Sequence, residues 1–252
     1  MTIKVIPNEK FKEIFAEVEN CAERGNYRRI FSTLKPLLDA KCPFTKLDRL
    51  GKMLGDSAKS KPSAIFPLLE EIISYNAMGG YVVVAQALVS LLEADLEPVM
   101  KLTKDYIRRG ATWYVCDIVG ERVIGQALHR HFNQTLPWLK KFLSDKDSWV
   151  RRSAGVAVHL YVKRNKAAER EIKTLLKILE PHIEEKQVDV VKGLGWGLKT
   201  IGKYHPDLMD AFLRKQFQEK KRLSGRMLSK ATTYFGKPRR AALASYVRAL
   251  PA

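Results

Sequence analysis

Almost from end to end, this chain places apolar residues at the spacing of an α-helix. "FKEIFAEVENCAERG", "YRRIFSTLKPLLDA", "PSAIFPLLEEIISY", "YVVVAQALVSLLEAD" and "LEPVMKLTKDYIRRG" each hold the pattern for 12–15 positions. Breaks fall at Gly25-Asn26, Cys42-Pro43, Lys61-Pro62, Gly79-Gly80 and Gly110. Further on, "TWYVCDIVGERVIGQALHRH", "SWVRRSAGVAVHLYVKRN", "AAEREIKTLLKILEPHIEE" and "VDVVKGLGWGLKTIGKY" continue it. "YVVVAQ" alone has the look of a strand, but the apolar period runs past it as a helix. The expectation is an all-α fold.

Helices of similar length on short connectors point to a repeat array. "VRRSAGVAV" from Val150 aligns without gaps on "VKGLGWGLK" from Val191, 41 residues on. "YVVVAQALVSLL" from Tyr81 fits "WVRRSAGVAVHL" from Trp149 at 68 residues, near two shorter repeats. Small residues at matching places (Ala85, Ala87; Ser153, Ala154, Gly155; Gly193, Gly195, Gly197) allow close helix approach. "LSDKDSWVRRSAGVAV" resembles a HEAT repeat. The expected architecture is one domain over residues 1–252, a curved α-solenoid of HEAT-like helix pairs with a concave basic groove. Residues one repeat apart then meet on the concave face.

Charge says what such a groove faces. Residues 1–100 hold 13 Lys/Arg and 13 Asp/Glu, while residues 101–252 hold 32 and 14, so the whole net charge of +18 lies in the later part. That asymmetry points to a polyanion, and nucleic acid fits best. A membrane surface fits less well, because no basic amphipathic segment carries bulky apolar anchors. No apolar run reaches the length of a transmembrane helix, and the first residues carry no secretory h-region, so the expected location is cytoplasmic. Cys21, Cys42 and Cys116 are odd in number and lack metal or redox spacing. His129 and His131 form HxH without a third ligand, and His159, His182 and His205 stand apart, so no metal and no cofactor is expected. Serine elbows, P-loops and Cys–His signatures are missing from the sequence.

Within "GATWYVCDIVGERVIGQAL", Val115, Ile118, Val119 and Val123 form the core stripe, and at about 100° per residue Trp113 and Asp117 fall on nearly the opposite side. An ordinary Asp there is solvated and shares a weak ion cluster with Glu121 and Arg122. One repeat on, Trp149 and Arg152 are an i, i+3 pair, and one further, Trp196 projects between Gly195 and Gly197, where the backbone is unobstructed. Arg151 is expected to brace the array through Asp145.

These pieces, "WYVCD", "SDKDSWVRRSA" and "VVKGLGWGLKTIGKYHPDLMDAFL", with "LSGRM" near the end, resemble the AlkD-type alkylpurine DNA glycosylases in order and spacing. The resemblance covers roughly residues 80–235, and residues 1–75 fit only as helical repeats. It implies Asp117 as catalytic carboxylate, Trp113 and Trp196 flanking the lesion's deoxyribose, and Arg152 at the lesion or the backbone. It implies a monofunctional glycosylase acting on double-stranded DNA, releasing 3-methyladenine- or 7-methylguanine-type bases without extruding them into a deep pocket. The chemistry is sound on its own terms. A glycosidase ordinarily needs a second carboxyl as acid, but a cationic alkylpurine leaves neutral, so one carboxylate suffices.

The sequence departs from the family at Tyr114, where another Asp is common, and at Val188 and Asp189, where an aromatic pair is common. Lys192, Lys199, Arg226, Lys230, Lys237, Arg239 and Arg240 are the backbone-contact candidates, the "GKPRR" cluster with the helix start behind it in particular. A monomer is expected. Two other readings share the helical repeats: a non-catalytic protein binding damaged or branched DNA, and a protein-interaction scaffold. Salt separates the scaffold from both DNA readings. Duplex affinity in a salt titration is expected to fall steeply, with a log–log slope of about −0.9 per neutralised phosphate; a flat response would remove the polyanion inference.

Overall fold

The structure, a computed structural model, describes residues 5–250. The ends of the expected 1–252 domain, residues 1–4 and 251–252, lie outside the described residues. These contain no β-strand, only an isolated bridge between Val5 and Lys41. The fold is all-α. The chain divides into two compact units, the second beginning at Ile124.

In the first unit lie α1 (Asn8–Glu23), α2 (Ile30–Leu38), α3 (Phe44–Ser57), α4 (Phe66–Ser74), α5 (Met78–Leu91), α6 (Leu96–Gly110) and α7 (Trp113–Val119). Here α3 packs on α5 and α5 on α7, with α4 and α6 flanking α5. Position in the stack follows composition. On α5, every residue from Gly80 to Leu91 except Gln86 is buried, as suits a helix that is apolar all round. By contrast α6 buries one stripe, Val99, Met100, Thr103, Tyr106 and Ile107, and leaves charges outside. The break expected at Gly79-Gly80 falls earlier, at Asn76 with φ 56°, and both glycines sit in the first turn of α5. The reason is packing, since a Cβ on Gly80 would come within 2.9 Å of Ile72.

In the second unit lie α8 (Gly125–Arg130), α9 (Phe132–Leu143), α10 (Ser148–Arg164), α11 (Glu169–Leu179), α12 (Val188–Tyr204), α13 (Pro206–Gln218), α14 (Gly225–Ala231) and α15 (Lys237–Ala249). Every second helix again stacks, α8 on α10, α10 on α12 and α12 on α14. Each unit is thus a HEAT-like stack of helix pairs.

The tightest contact is between α10 and α12. A Cβ on Gly155 would lie 2.3 Å from the Gly193 carbonyl oxygen, and one on Gly193 2.5 Å from that of Arg152. The two helices touch backbone to backbone, as the matched small residues implied. Their starts are matched too. Asp147 caps α10 by accepting from the amides of Trp149 and Val150, and Gln187 caps α12 from Asp189 and Val190, 40 residues on. The cap-to-cap offset is one residue less than the 41 of the gapless alignment. Arg151 braces successive repeats as expected, donating to the carbonyls of Asp145 (2.9 Å) and Lys146 (3.0 Å) and to Glu185 (3.2 Å).

The seam makes a direct stability prediction. Gly155→Ala gains helix propensity of about 1 kcal/mol, but the added methyl meets backbone that cannot rotate away, so a net loss of about 1–3 kcal/mol is expected. Gly225→Ala, at the first position of α14 with nothing within 4 Å of its Cβ, is expected to stay within about 0.5 kcal/mol of wild type. Urea unfolding of the two variants checks the contrast.

Candidate functional site

Helix α7 is fixed tightly. The chain enters it through Gly110, whose Cβ would lie 2.5 Å from Val115, and through Ala111, held at φ 41° in the left-handed region. A non-glycine residue there carries about 1–2 kcal/mol of strain, and such strain persists only where surrounding structure imposes it. Val115, Cys116, Ile118 and Val119 are buried, which holds the helix down along the expected stripe. The helix then passes into a π turn, Gly120–Ile124, a distortion frequent at functional sites. From that turn Arg122 reaches Asp48 on α3 with two bonds, 2.8 and 3.2 Å. The guanidinium considered as a neighbour for Asp117 is thus engaged with Asp48.

On the outer flank stand the two residues singled out by spacing. Trp113 is 60% exposed and Asp117 half-buried. The Trp113 indole meets the Tyr114 ring edge-on, with centres 6.0 Å apart at 89°. Tyr114, one of the departures, therefore props the exposed indole.

In the second unit Arg152 is only 7% exposed. Its guanidinium donates to the Asp189 carbonyl at 3.2 Å and lies 4.0 Å from the Asp189 carboxylate. This cation is built into the α10–α12 seam, and Asp189, the other departure, helps hold it there. Trp196 stands on α12, but the glycines beside it are not open backbone. A Cβ on Gly195 would meet Lys230 at 3.0 Å, and one on Gly197 would meet the Gly155 carbonyl at 2.9 Å. They serve helix approach, and the indole is set by a different neighbour. His159 of α10 stacks on it, with ring centres 4.2 Å apart at 21°, and its Nδ1 lies 2.6 Å from the Thr200 hydroxyl. His159 had read as an isolated histidine. Its separation from Thr200, 41 residues, is the repeat spacing already visible in the sequence, which was the available signal.

The model of the DNA alkylation repair enzyme family matches residues 11–235. The chain belongs to that family. A search of curated proteins found no match. Family membership and the helical-repeat fold make this a DNA-repair protein linked to alkylation damage, and the match extends the expected resemblance back through most of the first unit. Among the described residues no group of three His, Cys, Asp or Glu could hold a metal ion, and no helix is long and apolar enough to cross a membrane.

Within this DNA alkylation repair enzyme, the candidate backbone contacts divide by their partners. Lys192 pairs with Asp189 at 3.0 Å and Arg239 with Asp207 at 2.5 Å, while Arg240 donates to the Thr233 carbonyl at 2.9 Å. Lys230 lies along Gly195. Arg226 and Lys237 are exposed in the first turns of α14 and α15. Lys199 stands apart from these, with its ammonium 5.6 Å from the centre of the Tyr234 ring.

Burial, then the charges of Lys163 and Lys199, push the His159 imidazole down to about 4. An unfolded histidine titrates near 6.5. As pH falls from about 6.5 towards 4 the unfolded chain takes up the proton and the folded one does not, so stability that is full above 6.5 is lost on acidification. His159→Phe, which keeps a ring for Trp196, is expected to lose less stability than wild type between pH 7 and pH 4.5, compared by urea midpoints.

Proposed function

We propose that the chain is a monofunctional DNA glycosylase that hydrolyses the N-glycosidic bond of cationic alkylated purines, of the 3-methyladenine and 7-methylguanine type, in double-stranded DNA. The observation that carries this reading is the Trp113–Asp117 pair, which stands on the outer flank of α7 at the positions of the "WYVCD" motif in a chain of this family. A carboxylate on an accessible helix flank, next to an indole, suits a reaction whose transition state is a sugar cation. The alkylated base already carries its positive charge and departs neutral, so the protein supplies no proton to it. Asp117 stabilises the oxocarbenium-like centre or orients the attacking water. The face of Trp113 adds cation–π attraction of about 0.5–2 kcal/mol, while Trp196, in the second unit, offers its indole to DNA.

Arg152, anchored by Asp189, contributes a fixed positive charge beside the strand. Exposed cations such as Lys237 and Arg226 follow the phosphates. The reaction needs no bound cofactor, the product is an abasic site in an uncut strand, and the protein works as an intracellular monomer.

The deciding experiment measures methylpurine release from methylated duplex DNA by wild type and by Asp117→Asn. Release by the variant is expected to fall by about 10²-fold or more, with affinity for undamaged duplex retained. Equal release by both proteins would remove Asp117 from catalysis. No release by wild type with binding intact would make the chain a non-catalytic binder of damaged or branched DNA.

A further inference from the structure

A pocket of about 220 Å³ opens in the second unit between α10, α12 and the turn that follows α14. Its floor is the stacked pair Trp196 and His159. Lys163, Lys199 and Lys203 surround it, and Tyr234, an aromatic ring 49% exposed to solvent, forms one wall. Two of the ammonium groups rest on that ring, Lys199 at 5.6 Å and Lys203 at 5.4 Å from its centre.

These cations differ from their neighbours in electrostatic company. Lys192, Lys215 and Arg239 all hold carboxylates. Among the described residues, no ion pair involves Lys163, Lys199 or Lys203. Three like charges around one small pocket repel one another, and the His159 imidazole, lowered first by burial, is pushed further down by Lys163 and Lys199. Such a cluster stabilises neither helix, whereas a bound anion relieves it. The volume lies below the roughly 300–1,000 Å³ of pockets for drug-sized molecules, and suits a phosphate with part of its sugar. The open ring supplies a stacking face of the kind that nucleotides use.

We propose that this pocket is a nucleotide subsite in which Lys163, Lys199 and Lys203 hold one phosphate of a DNA strand while the attached sugar or base lies against Tyr234. The ammonium groups leave the ring face for charge-assisted hydrogen bonds to the phosphate oxygens. The His159–Trp196 pair stays neutral at physiological pH and forms an apolar floor beneath the sugar. This site rests on the DNA partner of the reading above and not on the chemistry of Asp117.

Lysine acetylation footprinting, with and without undamaged duplex, tests it in the full chain. Lys163, Lys199 and Lys203 are expected to become protected together, while Lys173 and Lys177 on α11 stay reactive. Lys163→Gln/Lys203→Gln is expected to make the salt slope of duplex binding shallower by about 0.9, one phosphate's worth, and Lys140→Gln/Lys141→Gln to change it less. Tyr234→Ala is expected to weaken binding about fivefold or more, as removal of a stacking ring does, and Tyr234→Phe to restore it. The site is overturned if the three lysines stay as reactive in the complex as Lys173, if the two double variants shift the slope equally, or if Tyr234→Ala binds like wild type. No lesion is cleaved in these assays, so failure of methylpurine release would leave their outcome untouched.

Discussion

The seam at Gly155 and Gly193, where α10 and α12 meet through backbone atoms, sets the geometry of the second unit. No side chain intervenes there to be repacked, so the separation and rotation of the two helices are fixed by the peptide units themselves. Everything argued for that unit hangs on this spacing. Trp196 finds His159 beneath it, Arg152 reaches the Asp189 carbonyl, and Arg151 reaches the turn before α12 because the helices cannot drift. The caps at Asp147 and Gln187 set the register along the seam. In the first unit Gly51 and Gly55 on α3 play the corresponding part, with Cβ positions that would fall 2.2 and 2.3 Å from carbonyl oxygens of α5.

How much of this was legible in the sequence depends on whether a feature is periodic. The helices were, because burial in a stack repeats every 3.6 residues, and the stripe Val115, Ile118, Val119 and Val123 is buried as its spacing implied. Small residues at matched repeat positions correctly announced close approach. The same rule misled at Gly79-Gly80, where glycine signals a packing contact and not a break, and at Trp196, whose glycine neighbours face other helices. Partner choice was the least legible. Nothing local says that Arg122 will take Asp48, 74 residues away, or that Tyr234 will gather two lysines. Such pairings depend on which side chains the fold brings to one place, and a single sequence records them only where, as with His159 and Thr200, the repeat length connects them.

The basic residues also fall into two physical kinds that composition cannot separate. Arg151 and Arg152 are largely buried, with carbonyls and carboxylates to satisfy their donors, and planar guanidinium suits that work. The lysines of the second unit are mostly on the outside, on flexible stems, and several lie over aromatic rings. The arginines of the seam are therefore held in place by protein partners, while the lysines keep their charges at the surface.

The division of the chain at Ile124 has a consequence for how the protein could change over time. Residues 124–252 contain 27 Lys/Arg and 11 Asp/Glu, against 18 and 16 before them, so the excess positive charge resides chiefly in the second unit, while the carboxylate proposed for chemistry belongs to the first. The bulk of the positive charge and the proposed catalytic carboxylate are thus inherited on different stretches of chain. A descendant could exchange Asp117 and remain a capable DNA clamp, or lose lysines one by one and keep its chemistry at lower salt. Selection can tune the two separately, and a family built this way is free to spread from repair enzymes to proteins that only hold DNA.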